Sequence, residues 1–263
     1  MALIIEEWNV KPQAGEIGIE IEMEGRNLKI DDILGWRAVH DGSLRGESIE
    51  YVLKTPKSRN KVDYYLKILQ EALKNSWSIL LPSNRCGIHI HINCQKLTTQ
   101  QVFNFIILYL IFEDVLVKFC GKEREGNTFC LRAKDAEALI DALIIAKKEG
   151  SLRRLQHDNY RYASINISSI GKYGSLEFRA MRSLENFNEI NPWINILLCI
   201  KDKSLEFNQS KEIIEAFSMN GYNRFSRQIF GNYFNLIKVE NMNDLIVEGA
   251  RRVQDIAFID ERY

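Results

Sequence analysis

An α+β fold is predicted, in which one curved, largely antiparallel sheet carries a polar catalytic face and is backed by helices. Three observations predict it. Five short segments alternate apolar and polar residues with the period of a strand, they come early as hairpin-like pairs, and helical spacing takes over after Asn191-Pro192. This order favours an antiparallel sheet over a doubly wound parallel one. With 263 residues, 46% of them apolar and 27% charged, the chain can fill one hydrophobic core. A single unit over residues 1–263 is therefore expected, with a sheet-containing core at 1–185 and a helical C-terminal part at 186–263 packed on it.

The first strand is residues 16–24, where Ile17, Ile19, Ile21 and Met23 oppose Glu16, Gly18, Glu20, Glu22 and Glu24. Residues 48–53 repeat the pattern, with Ile49, Tyr51 and Leu53 on one side, Glu50 on the other, and Pro56 closing the run. From Asn60 to Trp77, the apolar positions Val62, Tyr65, Leu66, Leu69, Ala72 and Leu73 have helical spacing. Residues 87–93 set Ile88, Ile90 and Ile92 against Gly87, His89, His91 and Asn93, so both histidines point the same way. Thr98 and Gln101 form a capping box that opens a long buried helix, which Gly121 ends. Residues 122–130 read as a loop and 134–148 as a helix. Strands at 162–168 and 175–181, joined by Gly171-Lys172-Tyr173-Gly174, predict a hairpin with Glu177 and Arg179 on its polar face. Helices are then expected at 192–201, 210–218, 223–231 and 243–258.

Composition narrows the function classes. Lys plus Arg and Asp plus Glu both total 35, so no overall charge draws the chain to nucleic acid or to an anionic membrane. The longest apolar stretch, Val102 to Phe119, is interrupted by Asn104, Glu113, Asp114 and Lys118, which argues against a membrane span. Five cysteines without a CxxC pair fit a reduced compartment, and the N-terminus lacks a secretion signal, so a cytoplasmic location is expected. There is no Walker loop, GxGxxG or GxSxG, and the Arg153-Arg154 and Arg251-Arg252 pairs read as helix-surface charges. Cys86, beside the His-x-His strand, reads as a small buried hydrophobe.

The polar strand faces carry Glu, His, Asn and Arg in place of the usual Lys, Thr and Ser. Residues two apart on a strand are separated by roughly 6.6 Å, so Glu20 and Glu22 would repel each other in a sheltered cleft unless a cation sat between them. Carboxylates suit Mg²⁺ or Mn²⁺, an imidazole such as His89 can join them, and no cysteine has zinc-ligand spacing. Each feature also has a plainer explanation. Glu20, Glu22 and Glu24 could be solvated positions of an edge strand, the histidines a hydrogen-bonded pair, and Glu177 with Arg179 a same-face ion pair. The conjunction of all three on alternating strands favours a site.

These residues resemble the putative amidoligases of the carboxylate–amine ligase superfamily, relatives of glutamine synthetase and γ-glutamylcysteine synthetase. Five blocks carry the resemblance in order: Gly18-Ile-Glu20-Ile-Glu22; Asp41-Gly42-Ser43-Leu44 with Glu50-Tyr51-Val52; Gly87-Ile88-His89-Ile90-His91; Arg161-Tyr162-Ala163-Ser164-Ile165-Asn166; and Glu177-Phe178-Arg179. Pro192-Trp193-Ile194 is similar to the family's Trp-containing helix. The chain departs from the family after Arg179, reading Ala180-Met181-Arg182-Ser183-Leu184 where a Gln-His and a Gly-Thr turn are usual.

The resemblance implies a glutamine synthetase-like catalytic fold and an enzyme that uses ATP and Mg²⁺ or Mn²⁺ to join a carboxylate to an amine through an acyl phosphate. It implies Glu20, Glu22, Glu50, His89 and Glu177 as metal ligands, and His91, Arg161, Asn166 and Arg179 as nucleotide-side groups. Arg161 and Arg179 would stabilise the transferred phosphoryl group, and Asp41 or Glu47 are the options for a general base. Substrates would be small-molecule, peptide or protein carboxylates and amines; the oligomeric state stays open. A metal-dependent hydrolase or phosphotransferase on the same constellation, and a non-catalytic nucleotide- or peptide-binding module, are the rival readings.

Overall fold

The computed structural model describes residues 2–81, 83–136 and 138–259. After a short helix α1 (Ile4–Trp8), the alternating run at 16–24 becomes β1 (Ile17–Arg26), whose Ile17, Ile19, Ile21 and Met23 are all buried. The strands β2 (Trp36–Val39) and β3 (Ser48–Leu53) follow, then α2 (Arg59–Asn75), β4 (Ile79–Leu80) and β5 (Gly87–Asn93). Next come α3 (Thr99–Cys120), α4 (Leu139–Glu149), β6 (Ile165–Asn166), α5 (Ser169–Tyr173) and β7 (Ser175–Arg182). Three helices end the chain: α6 (Ile190–Ser204), α7 (Ser210–Phe230) and α8 (Met242–Ala257). The seven-stranded sheet runs β2-β3-β1-β5-β7-β6, with β4 beside the end of β1, and every strand ladder is antiparallel.

The apolar side of the sheet packs on helices centred on α3, which is buried along nearly its whole length and has α6, α7 and α8 around it. Its capping box is formed as the Thr98–Gln101 spacing predicts, and Gly121 caps its C-terminus. At Gly249 of α8 the two backbones come so close that a Cβ would stand 2.2 Å from the Ile111 carbonyl oxygen. Beside this contact lie the buried acids Glu113 and Asp114. Arg252 Nη2 donates to Asp114 at 2.9 Å, Arg132 Nη1 donates to it at 3.0 Å, and Ala133 N donates to both oxygens of Glu113. No helix is long and apolar enough to cross a membrane among the described residues.

Several elements differ from the sequence expectation. The strand expected at 162–168 shrinks to Ile165–Asn166, because Asn166 Oδ1 accepts bonds from Ser168 N and Oγ and turns the chain into α5. Gly174, at φ 69°, then ends α5 and returns the chain as β7, so the antiparallel pairing holds but its connection is helical. The strands β2 and β4 were absent from the pattern. The helix expected at 134–148 begins at Leu139, since residues 132–136 form a turn in which Asp135 N and Ala136 N donate to Arg132 O. The two helices expected at 210–218 and 223–231 are joined as α7, with a break at Gly221, where φ is 66° and ψ is 165°.

Candidate active site

The sheet registers decide which polar side chains meet. On β1, Glu22 stands opposite Glu50 of β3, while Glu20 lies between Val52 of β3 and His89 of β5. One step along, Gly18 faces His91, which faces Glu177 of β7, which in turn faces Asn166 of β6. Neighbouring strands are about 4.8 Å apart, so side chains on the same face of these rows reach one another. Gly18 is small for a reason: a Cβ there would stand 3.2 Å from His91 Cβ.

The ladder between β5 and β7 contains a bulge. Ile88 pairs with Met181 and Ile90 with Phe178, so Arg179 and Ala180 together oppose His89. Arg179 shares the polar face with Glu177 by alternation, and at the bulge its Nη1 lies 3.4 Å from His89 Nδ1 and donates to Glu177 Oε1.

Around this arginine the carboxylates and imidazoles converge. His89 Nδ1 is 3.3 Å from Glu20 Oε2 and 3.6 Å from Glu177 Oε1, and its Nε2 is 3.7 Å from Glu22 Oε2. His91 Nε2 is 3.3 Å from Glu20 Oε1. Three groups have donor atoms within 4.8 Å of one another: Glu20, His91 and Glu177; Glu20, Glu50 and His89; and Glu22, Asp41 and Glu50. Glu20 and Glu50 each belong to two groups, so the three form one continuous cluster.

The electrostatics follow from the crowding. Burial pushes Glu50 up, and the charges of Glu20, Glu22 and Asp41 add to it, bringing its carboxyl to about 8. Burial also works to raise Glu20, but the charge of His91 and hydrogen bonds to both histidines outweigh it and hold that carboxyl well below the usual range. For Glu177 burial is again opposed, by His91 and Arg179, with a net downward shift. His91 is buried with both ring nitrogens facing polar groups, Nδ1 3.2 Å from Ser175 Oγ and Nε2 3.3 Å from Glu20 Oε1.

The other site residues expected from the sequence divide. Asp41 joins the cluster; its own oxygens hold Ser43 N and Oγ in a tight turn. Asn166 does not face the open cleft as a ligand-binding group; its Nδ2 donates to Glu177 Oε2 at 2.7 Å and its Oδ1 caps the following turn, so both ends of the amide are engaged. Arg161 is not brought to the carboxylates. It is exposed on the turn before β6, its guanidinium over the Tyr162 ring and Nη2 donating to the Tyr162 hydroxyl at 2.6 Å, because residues 161–163 are not part of a sheet strand. Glu47 accepts a bond from Leu28 N and lies outside the cluster. Burial pushes the Cys86 thiol up to about 12, as suits a buried hydrophobe.

Sequence reasoning missed the residues beside the cluster. A cavity of about 160 Å³ adjoins Glu20 and His91 and is lined by Gly18, Arg37, Lys54 and Tyr173. Lys172, over the Tyr173 ring at 4.7 Å, has its ammonium pKa raised by a hydrogen bond to Tyr173, with smaller contributions from the charges of Glu20 and Glu177. The glycine-bounded connection at 171–174 was visible as a turn, but nothing in its spacing pointed it at the cleft.

No curated protein matches the chain. The family described as putative amidoligase enzyme matches residues 49–200, which takes in β3, β5, β6 and β7 and leaves Glu20 and Glu22 to be joined by geometry alone. With more than half of its length matched, the chain belongs to this amidoligase family.

Proposed function

We propose that the protein is an ATP- and Mg²⁺-dependent carboxylate–amine ligase that works through an acyl phosphate on a glutamine synthetase-like catalytic sheet. One observation carries the reading: Glu20, Glu22, Asp41, Glu50, His89 and Glu177 converge on one sheet face beside Arg179. The donor set fits a hard divalent cation, being rich in carboxylate oxygen, with imidazole nitrogen and no thiol. Glu50 is pushed up first by burial and then by the charges of Glu20, Glu22 and Asp41, and a cation would relieve that second, repulsive part. Glu20, Glu22, Glu50, His89 and Glu177 would hold Mg²⁺ or Mn²⁺, with Asp41 and His91 adjoining. A divalent ion at that place supplies neutralisation of the nucleotide's phosphate charge.

A carboxylate oxygen of the substrate attacks the γ-phosphorus of ATP, the bond to the bridging oxygen breaks, and ADP leaves. Arg179, partly buried and kept protonated against burial by Glu177 and Glu22, stabilises the negative charge spread over the transferring phosphoryl oxygens. The amine nitrogen then attacks the acyl carbon, phosphate departs, and the amine's proton passes to a nearby base. Asp41 is the carboxylate of the two options that lies in the cluster.

The test follows ADP release while a library of carboxylates is offered with hydroxylamine, which traps an acyl phosphate as a hydroxamate. ADP and hydroxamate should appear together once the right carboxylate is present. Truncation of Arg179 to Met should lower that turnover by about 10² or more while ATP binding falls less. Amide hydrolysis without ATP, and no hydroxamate across small-molecule, peptide and protein carboxylates, would replace the ligase with a hydrolase.

A further inference from the structure

Arg124 lies just beyond α3, in the turn at 122–124, and its residue exposure is only 1%. Its guanidinium donates to four main-chain carbonyls. Nε donates to Ala180 O at 3.2 Å, Nη2 to Arg179 O at 2.9 Å, and Nη1 to Cys86 O at 3.3 Å and to Asn84 O at 3.5 Å. Among the described residues no carboxylate forms an ion pair with it. A buried cation with only neutral partners is expensive, and an aliphatic side chain would fill the same space at lower cost. Stability alone therefore does not account for a guanidinium there.

Its partners identify what it does. Arg179 and Ala180 are the two residues of the β7 bulge, and Cys86 and Asn84 lead into the facing strand β5. A bulge leaves main-chain groups of the ladder without their usual partners, and the planar fork of an arginine can bind several carbonyls at once. Gly87 makes the approach possible: a Cβ there would stand 3.1 Å from Arg124 Nη2 and 3.4 Å from His89 Nε2.

We propose that Arg124 is a positioning residue, which holds the Arg179–Ala180 bulge open and thereby fixes the Arg179 guanidinium against His89 and Glu177. Its catalytic meaning rests on the reading of this sheet face as a ligase site; the positioning itself does not. Lysine at this place keeps the charge but offers its donors from a single point, so it cannot bridge both strands.

The experiment reads the Arg179 Nε–Hε resonance of ¹⁵N-labelled protein, identified by its loss in Arg179→Lys, together with urea unfolding. In Arg124→Lys that still unfolds cooperatively, the Arg179 signal should move toward the solvent-exposed arginine position or broaden. In the double variant Arg124→Lys/Arg179→Lys, the second substitution should change the folding constant at least fivefold less than it does alone. An unmoved Arg179 signal in the folded variant, or effects on the folding constant that simply multiply, would overturn the proposal. If Arg124→Lys does not fold, Gly87→Ala, which crowds the guanidinium without removing it, carries the same readout. Titrating wild-type protein with Mn²⁺ separates the two claims: no response of the cluster alongside a displaced Arg179 in the variant would refute the metal site and leave the role of Arg124 standing.

Discussion

Asn166 and Glu177 face each other across the β6–β7 ladder, and Asn166 Nδ2 donates to Glu177 Oε2 at 2.7 Å. The amide holds one carboxylate oxygen while Arg179 holds the other. Replacing Asn166 by Ala should free the first oxygen and weaken Mn²⁺ binding about tenfold or more, the scale for losing a group that orients a ligand. The fold should lose about 1 kcal/mol, the net value of one hydrogen bond. Electron spin resonance of free Mn²⁺ during titration checks this, and unchanged affinity would exclude Glu177 from the ligand set.

Glu20 and Glu22 are expected to differ. Glu20 belongs to two of the three donor groups, whereas Glu22 belongs to one and already accepts the Gly87 N–H at 2.8 Å through Oε2. Glu20→Gln should therefore abolish more than one binding event in calorimetric titration with Mn²⁺, and Glu22→Gln should weaken only one. Equal losses from the two variants would contradict the arrangement.

A pH effect on stability is expected in the helical layer beneath the sheet, at Glu113 of α3. Burial pushes Glu113 up to about 7, against the bonds from Ser164 and Ala133 and the charge of Arg252 that favour its ionised form. Because its folded-state pKa lies above the unfolded one, its contribution is fully present below about 4.5 and is lost as pH rises through about 7. The loss amounts to about 3–4 kcal/mol at most, at 1.36 kcal/mol per pKa unit. Urea unfolding of Glu113→Gln at pH 5 and pH 8 should show a smaller difference between the two conditions than wild type does; an equal difference would assign the pH dependence elsewhere.

Gly249→Ala should destabilise by about 1–3 kcal/mol, the usual cost of overpacking, since the added methyl would meet the Ile111 carbonyl and push α8 from α3. Separation of the helices should also loosen Arg252 from Asp114, 2.9 Å away at present. The check is the urea midpoint of Gly249→Ala beside that of wild type, and an unchanged or higher midpoint would contradict the clash.

Most of the sheet's polar face was legible because a period of two is hard to disguise over six or seven residues. Glu20, Glu22, Glu50, His89, His91 and Glu177 each alternate with an aliphatic or aromatic neighbour that has only one place to go, the core beneath. Short elements escaped. The strands β2 and β4, with four and two residues, offer too few positions for an alternation. Arg161 was misplaced because Tyr162 to Ser168 reads as one strand, whereas Ala163 bridges to Leu131 in parallel and the ladder with β7 is confined to Ile165 and Asn166. Arg124 carries no signal at all: it sits in a stretch with no period, and its partners are carbonyls, to which no side-chain type corresponds.

The placement of β1 between β3 and β5 has an effect on folding itself. Were β1 to pair one residue out of step, Glu20 and Glu22 would turn inward among Ile and Phe side chains, and Ile19 and Ile21 would turn outward into the cleft. Each buried carboxylate would cost several kcal/mol, more than a marginally stable domain can absorb twice. A chain with a misaligned cleft is thus removed as an unfolded one, before it can persist as a folded but inactive impostor. Assembly of this protein proofreads its own chemistry.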